Sequence, residues 1–286
     1  MGEAILMNGG FFVHRDLLLD APLFRCIKLQ HVQDLFFNVH LYFRNATKWE
    51  DTWEIPSQFF ELQDRNGPSF VINDANRVSA NLFGSCCTDN IDSDALWRIY
   101  SGEKKDGVCI QTTIRKLFQS IDFSFQSGSF TDGCIAPVRY ENLSTTPSGQ
   151  VFFDDDSECY PRNMVPAFVK RNAFAHEREI RFLIHTANTE DHYRNHRLII
   201  TDDRSGLYLP FKNLDFVERL ILDPRLSQDE FTALQNNLAC HGKEIVKSTL
   251  YDTPNEIYKI LLNSGYSGHG VLKGAKWWMG TDFVQR

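Results

Sequence analysis

Positive charge is short in this chain. Its 30 Lys and Arg stand against 37 Asp and Glu, a formal net charge of −7 over 286 residues. That balance argues against broad nucleic-acid binding, which needs a basic face to release counterions. A local basic groove is still allowed: between positions 162 and 181 five basic residues stand against two acidic ones. The stretch reads first as a solvated helix face. No run of about 18 apolar residues occurs, so nothing reads as a membrane span. The first twelve residues lack the basic start and apolar stretch of a signal peptide. A soluble, cytoplasmic protein is expected.

Other absences narrow the fold. There is no Gly-x-Gly-x-x-Gly after the first strand and no phosphate loop, which disfavours a doubly wound nucleotide fold. No fixed-period repeat or long low-complexity linker is visible. The seven Cys include no Cys-x-x-Cys pair, and adjacent Cys86 and Cys87 suit neither a zinc site nor an ordinary disulfide. The cysteines read as small buried hydrophobes in a reducing compartment. No metal site is expected from them.

Phe is abundant, with 23 copies against four Met, so aromatic rings should dominate the core. Leu29, Val32, Leu35, Phe36 and Val39 have amphipathic-helix spacing over 28–40. Strands are expected at 23–25, 41–43, 83–88, 107–112, 135–140, 180–184, 198–201, 217–222 and 244–250. Helices are expected at 94–101, around 114–118, at 166–174, and after Thr253-Pro254. Ser227 with Glu230 three residues on forms a capping box for another helix, closed by Gly242. Residues 141–160 read as a polar loop. Strands and helices interleave irregularly, which predicts an α+β fold with a bent or split mixed sheet flanked by helices. The main domain is drawn at 1–226. Residues 227–286 are drawn as a helix–strand–helix extension packed on it.

Four stretches look like parts of a site. Arg25, inside the apolar Leu23-Phe24-Arg25, needs an anionic partner if buried, either a protein carboxylate or a ligand phosphate or carboxylate. Trp49-Glu50-Asp51-Thr52-Trp53-Glu54 forms an aromatic corner or rims a pocket. Ser85 and Thr88 bring hydroxyls to the end of a strand, before a capped helix on which Trp97 and Tyr100 share a face. Core packing is the plainer reading of Trp97. Last, Glu177-x-Glu179-x-Arg181 enters the apolar run Phe182-Leu183-Ile184. On a strand the three charges would point one way. A surface ion ladder is the plain account, and a carboxylate presented rigidly to a ligand is the functional one.

These stretches, in this order, resemble the bacterial family of domain of unknown function 2971. The likeness runs through Leu-Phe-Arg (23–25), Leu-Tyr-Phe (41–43), Trp-Glu-Asp-x-x-Glu (49–54) and Ser-Cys-Cys-Thr (85–88). It continues through Leu-Trp-x-x-Tyr (96–100), Gly-Val-Cys-Ile (107–110), Val-x-Tyr (138–140), Lys170, Glu-x-Glu-x-Arg (177–181) and Ile-Leu-Asp-Pro (221–224). Cys87 and Thr52 depart from it, where an aromatic and Pro are common. The family name implies no activity.

A looser resemblance, to mono-ADP-ribosyltransferases of the Arg–Ser–Glu type, implies one. It implies an ADP-ribosyltransferase-like fold and NAD as substrate. Arg25 would bind the phosphates or ribose of NAD. Ser85 or Thr88 would orient the key carboxylate. Glu179 would hold the ribose hydroxyl and stabilise the oxocarbenium-like transition state. Glu177 would guide or deprotonate the acceptor. Trp97 or Tyr100 would stack on the cofactor, and Arg181 would belong to the same set. The implied reaction is transfer of ADP-ribose to a protein or nucleic-acid acceptor, as a toxin or phage-defence effector with an antitoxin or defence-complex partner. A non-catalytic ligand- or partner-binding module is the alternative. A metal-dependent hydrolase built on His192, His196 and Asp202-Asp203 ranks last, because four-apart His suit a metal only on a helix.

Overall fold

The computed structural model describes residues 5–7, 11–51, 54, 62–63, 69–70, 79–122, 130–143, 164–186, 199–253, 276–279 and 282–285. The chain divides into a larger unit, Met1–Tyr251, and a smaller one, Asp252–Arg286.

The larger unit opens with β1 (Ile5–Met7), β2 (Phe11–Val13), β3 (Pro22–Lys28), α1 (Leu29–Asn38) and β4 (His40–Asn45). The short strands β5 (Leu62–Gln63) and β6 (Ser69–Phe70) pair with each other. Next come β7 (Leu82–Thr88), α2 (Asp94–Ser101), β8 (Gly107–Thr113) and α3 (Ile114–Ser120). β9 (Phe130–Pro137), β10 (Arg139–Glu141), β11 (Val169–Arg171) and β12 (Glu179–Thr186) follow. The unit closes with β13 (Ile199–Ile200), β14 (Gly206–Pro210), β15 (Arg219–Leu222), α4 (Gln228–Leu238) and β16 (Glu244–Lys247). In the smaller unit the described residues form one antiparallel hairpin, β17 (Lys276–Met279) with β18 (Asp282–Gln285).

Twelve strands make one mixed sheet in the order β1-β2-β9-β12-β7-β3-β8-β15-β16. Its pairs are antiparallel except β2 with β9 and β15 with β16. The sheet is split, as expected, and β7 is where it forks. One edge of β7 pairs with β12 along its whole length. On the other edge its last residue meets β3 at Phe24↔Thr88, while its start meets β4 at Arg44↔Gly84 and Asn45↔Phe83. From β4 the sheet continues into β14 and β13.

Period-two alternation sorts the side chains of the central strands onto two faces. One face carries Leu23, Phe83, Cys87, Ile110 and Phe182, covered by Val32, Leu35 and Phe36 of α1 and Leu117 and Phe118 of α3. Rings dominate here as the composition predicts. Phe182 meets Phe11 at 5.3 Å and Phe43 at 5.0 Å between centroids, both edge to face. The other face carries two smaller clusters. Phe24, Cys26, Cys109 and Trp97 form one; Leu82, Leu183, Val165 and Phe168 belong to the other.

Several local readings change. Residues 166–174 do not form an α-helix. They split into 3-10 turns at Val165–Phe168 and Asn172–Glu177 around β11. Parallel pairing of β11 with β10 takes the backbone bonds a helix would use. Strands β2 and β14 add to the expected set. Cys26 and Cys109 face each other across β3 and β8 and form a disulfide, so they are not the free fillers expected. Their separation of 83 residues gave no hint of it. The capping box at Ser227 is complete, both bonds being made with Glu230, and Gly242 turns left-handed at φ 65°. The main unit runs past 226, because β16 pairs with β15 inside it. The helix expected after Thr253-Pro254 lies outside the described residues.

Candidate functional site

β12 begins abruptly. Arg178, at φ 43°, sits in the left-handed region and turns the 3-10 segment Asn172–Glu177 into the strand. Glu179 then pairs with Thr88 and Arg181 with Cys86, so all four project from one sheet face. Glu177 is not on the strand. It reaches the same place from the preceding turn.

Here two cations and three carboxylates meet. Arg181 donates from Nε to Glu179 Oε1 at 2.7 Å and from Nη2 to Glu54 Oε2 at 2.6 Å. Its Nη1 donates to the Ala167 carbonyl, and its guanidinium carbon lies over the Trp49 ring, 4.6 Å from the centroid. Lys170 Nζ meets Glu177 Oε2 at 2.7 Å, Glu179 Oε2 at 3.1 Å and Glu54 Oε1 at 3.1 Å. Arg181 is 1% and Glu179 5% exposed, so water screens this cluster weakly. Burial alone would raise the Glu179 pKa. Arg181 and Lys170 outweigh it and hold the carboxyl down at about 2. Burial works against the charge of Lys170 as well, but Glu179 and Glu54 raise its pKa above the ordinary value. Outside the cluster, Tyr140 Oη accepts from the Glu179 amide at 2.8 Å, and burial pushes its pKa up to about 12.

Glu179 and Glu177 line a small cleft of about 10 Å³, the room of one water, together with Phe24, Cys86, Thr88 and Tyr100. The cleft is too small for a whole dinucleotide. Burial, then Cys86 and the two carboxylates, raises the Tyr100 pKa, so its phenol stays protonated and able to donate. From β7 the Cys86 thiol stands beside Glu179 and helps to lower its pKa. Burial and Glu179 raise the pKa of that thiol well above its ordinary value.

Of the expected site residues, Glu179, Glu177, Thr88 and Tyr100 come together. The Thr88 hydroxyl is spent on a turn: it accepts from Asn90 N at 3.0 Å. Trp97 is a core residue, 2% exposed, with its indole N–H on the Ile91 carbonyl. Arg181 lies behind Glu179 and faces protein groups on every side. Arg25 and Ser85 lie on the opposite sheet face from Glu179, so a single cleft holding Arg25, a β-strand hydroxyl and Glu179 does not form. The register is the reason. Phe24 pairs with Thr88 and takes the cleft side, which sends Arg25 through the sheet. There Arg25 pins the fork, donating to the Cys86 carbonyl at 3.0 Å and the Tyr42 carbonyl at 3.1 Å.

Lys170, Glu54 and Cys86 were assigned no role from sequence. Lys170 carried a signal, a cation that ends the apolar run Val165-Pro166-Ala167-Phe168-Val169. Glu54 did not stand out from its acidic neighbours. His192 and His196 lie outside the described residues, and Asp203 sits in an exposed turn accepting from Ser205 N at 2.9 Å. Among the described residues no cluster of metal-ligating side chains occurs, and no helix is long and apolar enough to cross a membrane.

No protein-family model matches the chain, and no curated protein does. The resemblance to domain of unknown function 2971 therefore rests on the quoted motifs alone. Several solved structures are similar, among them two of the same protein. Thermus sp. 2.9 DarT in complex with NAD+ is 9% identical, over 81% of this chain and 97% of that one, at a TM-score of 0.36. Thermus sp. 2.9 DarT in complex with ADP-ribosylated ssDNA is 10% identical, over 82% and 97%, at 0.37. Both scores fall short of establishing a shared fold, so the site stands on its own geometry.

Proposed function

We propose that this chain transfers ADP-ribose from NAD to a macromolecular acceptor, with Glu179 as the carboxylate that faces the ribose. The observation that carries the reading is the ionised Glu179, fixed by Arg181 and Lys170 in the wall of a small cleft. As the bond from ribose C1′ to nicotinamide breaks, its electron pair leaves with nicotinamide and positive charge grows on the sugar. A preorganised anion lowers that barrier without reorganising. The acceptor oxygen or nitrogen then bonds to C1′, and its proton passes to Glu177. Tyr100 supplies a ring and a phenol beside the same carboxylates. The binding set drops Arg25, Ser85, Trp97 and Arg181. The setting is a toxin or defence effector, with a protein or nucleic acid as acceptor.

One observation favours a second reading, a binding module without chemistry. Glu54, Glu177 and Glu179 are all engaged in ion pairs. The test is incubation with NAD labelled on its adenylate half, together with mixed oligonucleotides or cell protein, while nicotinamide release is followed. Release with label transfer, lost in Glu179→Gln, supports the transferase. Neither release nor transfer from pH 5 to 9 leaves only the module.

A further inference from the structure

The second cavity of the sheet lies on the face away from Glu179. Arg25, Ser85 and Thr112 line it together with apolar Leu41, Leu117 and Phe182. Two buried polar atoms point into it without a hydrogen-bond partner, Arg25 Nε and Ser85 Oγ. Ser85 is 1% exposed. The other two nitrogens of Arg25 are spent on the Cys86 and Tyr42 carbonyls. Among the described residues no carboxylate pairs with this guanidinium. An orphaned buried donor destabilises the fold, and a cation without a counterion does so more.

We propose that this cavity binds a monatomic anion, chloride under ordinary conditions, held between Arg25 Nε–H and the Ser85 hydroxyl. Three features select that class. The space is water-sized, which excludes phosphate, sulfate and carboxylate ligands. Arg25 Nε only donates, and Ser85 can donate too, so a species that accepts from both satisfies each of them. A water would accept from both as well, but it leaves the Arg25 guanidinium without a counter-charge, which an anion supplies. An anion also neutralises Arg25 at the point where the sheet forks. The ion is then a structural ligand, coupled to the union of β3, β4 and β7, and independent of the proposed transfer chemistry on the other face.

The test uses the full chain. Thermal unfolding is followed in sodium chloride and in sodium gluconate at equal ionic strength, and crystals soaked in bromide are measured for anomalous scattering. The expected result is a midpoint that climbs with the logarithm of chloride concentration but not of gluconate, with a bromide peak between Arg25 and Ser85. Ser85→Ala should weaken apparent chloride affinity about tenfold, as losing a hydrogen bond to a charged partner does. Arg25→Gln should abolish the dependence. If that variant does not fold, Ser85→Ala decides alone. Equal midpoints in the two salts, or a cavity that takes up no bromide, overturn the assignment. Nicotinamide release does not enter this readout, so the two proposals fail separately.

Discussion

Arg181 Nη2 stands 2.6 Å from Glu54 Oε2, joining two residues 127 positions apart in the chain. The same guanidinium holds Glu179. One side chain therefore ties β12 to a distant segment and fixes the proposed reactive carboxylate.

Removing it should be severe. Arg181→Met leaves Glu54 and Glu179 buried with only Lys170 between them. Losing one partner of a buried ion pair costs about 3–5 kcal/mol. Urea unfolding should show a loss of that order. Arg181→Lys should recover little of it, because an ammonium cannot bridge two carboxylates and a carbonyl in the fixed planar geometry of Arg.

The carboxyl of Glu179 sets an acid limit. Its pKa falls from an ordinary 4.5 to about 2 in the folded chain. A depressed carboxyl stabilises the fold fully above the unfolded value and loses that contribution as pH drops through the folded one. Stability should therefore decline between about pH 4.5 and 2. In Glu179→Gln the same titration should be flatter across that window, measured as urea midpoints at each pH.

Catalysis should respond differently along the cleft. Glu179→Gln is expected to cut nicotinamide release by about 10²–10³, the usual cost of losing one preorganised electrostatic contact to a transition state. Glu177→Gln should depress transfer to the acceptor more than hydrolysis of NAD. Tyr100→Ala should raise KM for NAD more than it lowers kcat. Single-turnover and steady-state rates separate the three.

Gly84 is a packing constraint under the ion cluster. A Cβ there would meet Trp49 Cζ2 at 2.7 Å and Leu183 Cδ2 at 2.9 Å. Gly84→Ala should push the indole away from Arg181 and cost about 1–3 kcal/mol. Near-ultraviolet circular dichroism reports the Trp movement and thermal unfolding the loss.

Far from the cleft, Ser227→Ala should cost about 1 kcal/mol by undoing the cap of α4. It should leave nicotinamide release unchanged.

The local elements were readable because each has a local cause. The spacing of Val32, Leu35 and Phe36 marks α1, and Ser227 with Glu230 marks the start of α4. Glu179 and Glu177 were legible as a pattern, Glu-x-Glu before an apolar strand. The side of the sheet on which Arg25 falls was not. That depends on a single pairing, Phe24 with Thr88, and a shift of one residue would reverse it. Cys86 was hidden for a similar reason. Its role comes from facing Arg181 across two strands, which no local spacing encodes. Pro166 in Val165-Pro166-Ala167 favoured a helix start, but pairing with β10 decided the outcome.

The spatial neighbours of β12 are β9 and β7, one of them read nearly a hundred residues earlier than β12 itself. A growing polypeptide that has not yet emitted position 170 holds Glu54 with neither of its eventual counter-charges, Lys170 and Arg181, in place. Such remote closures reward folding only after their loop entropy has been met, so maturation should run in milliseconds to seconds rather than microseconds. Nascent copies thus lack a fixed Glu179 until β12 arrives.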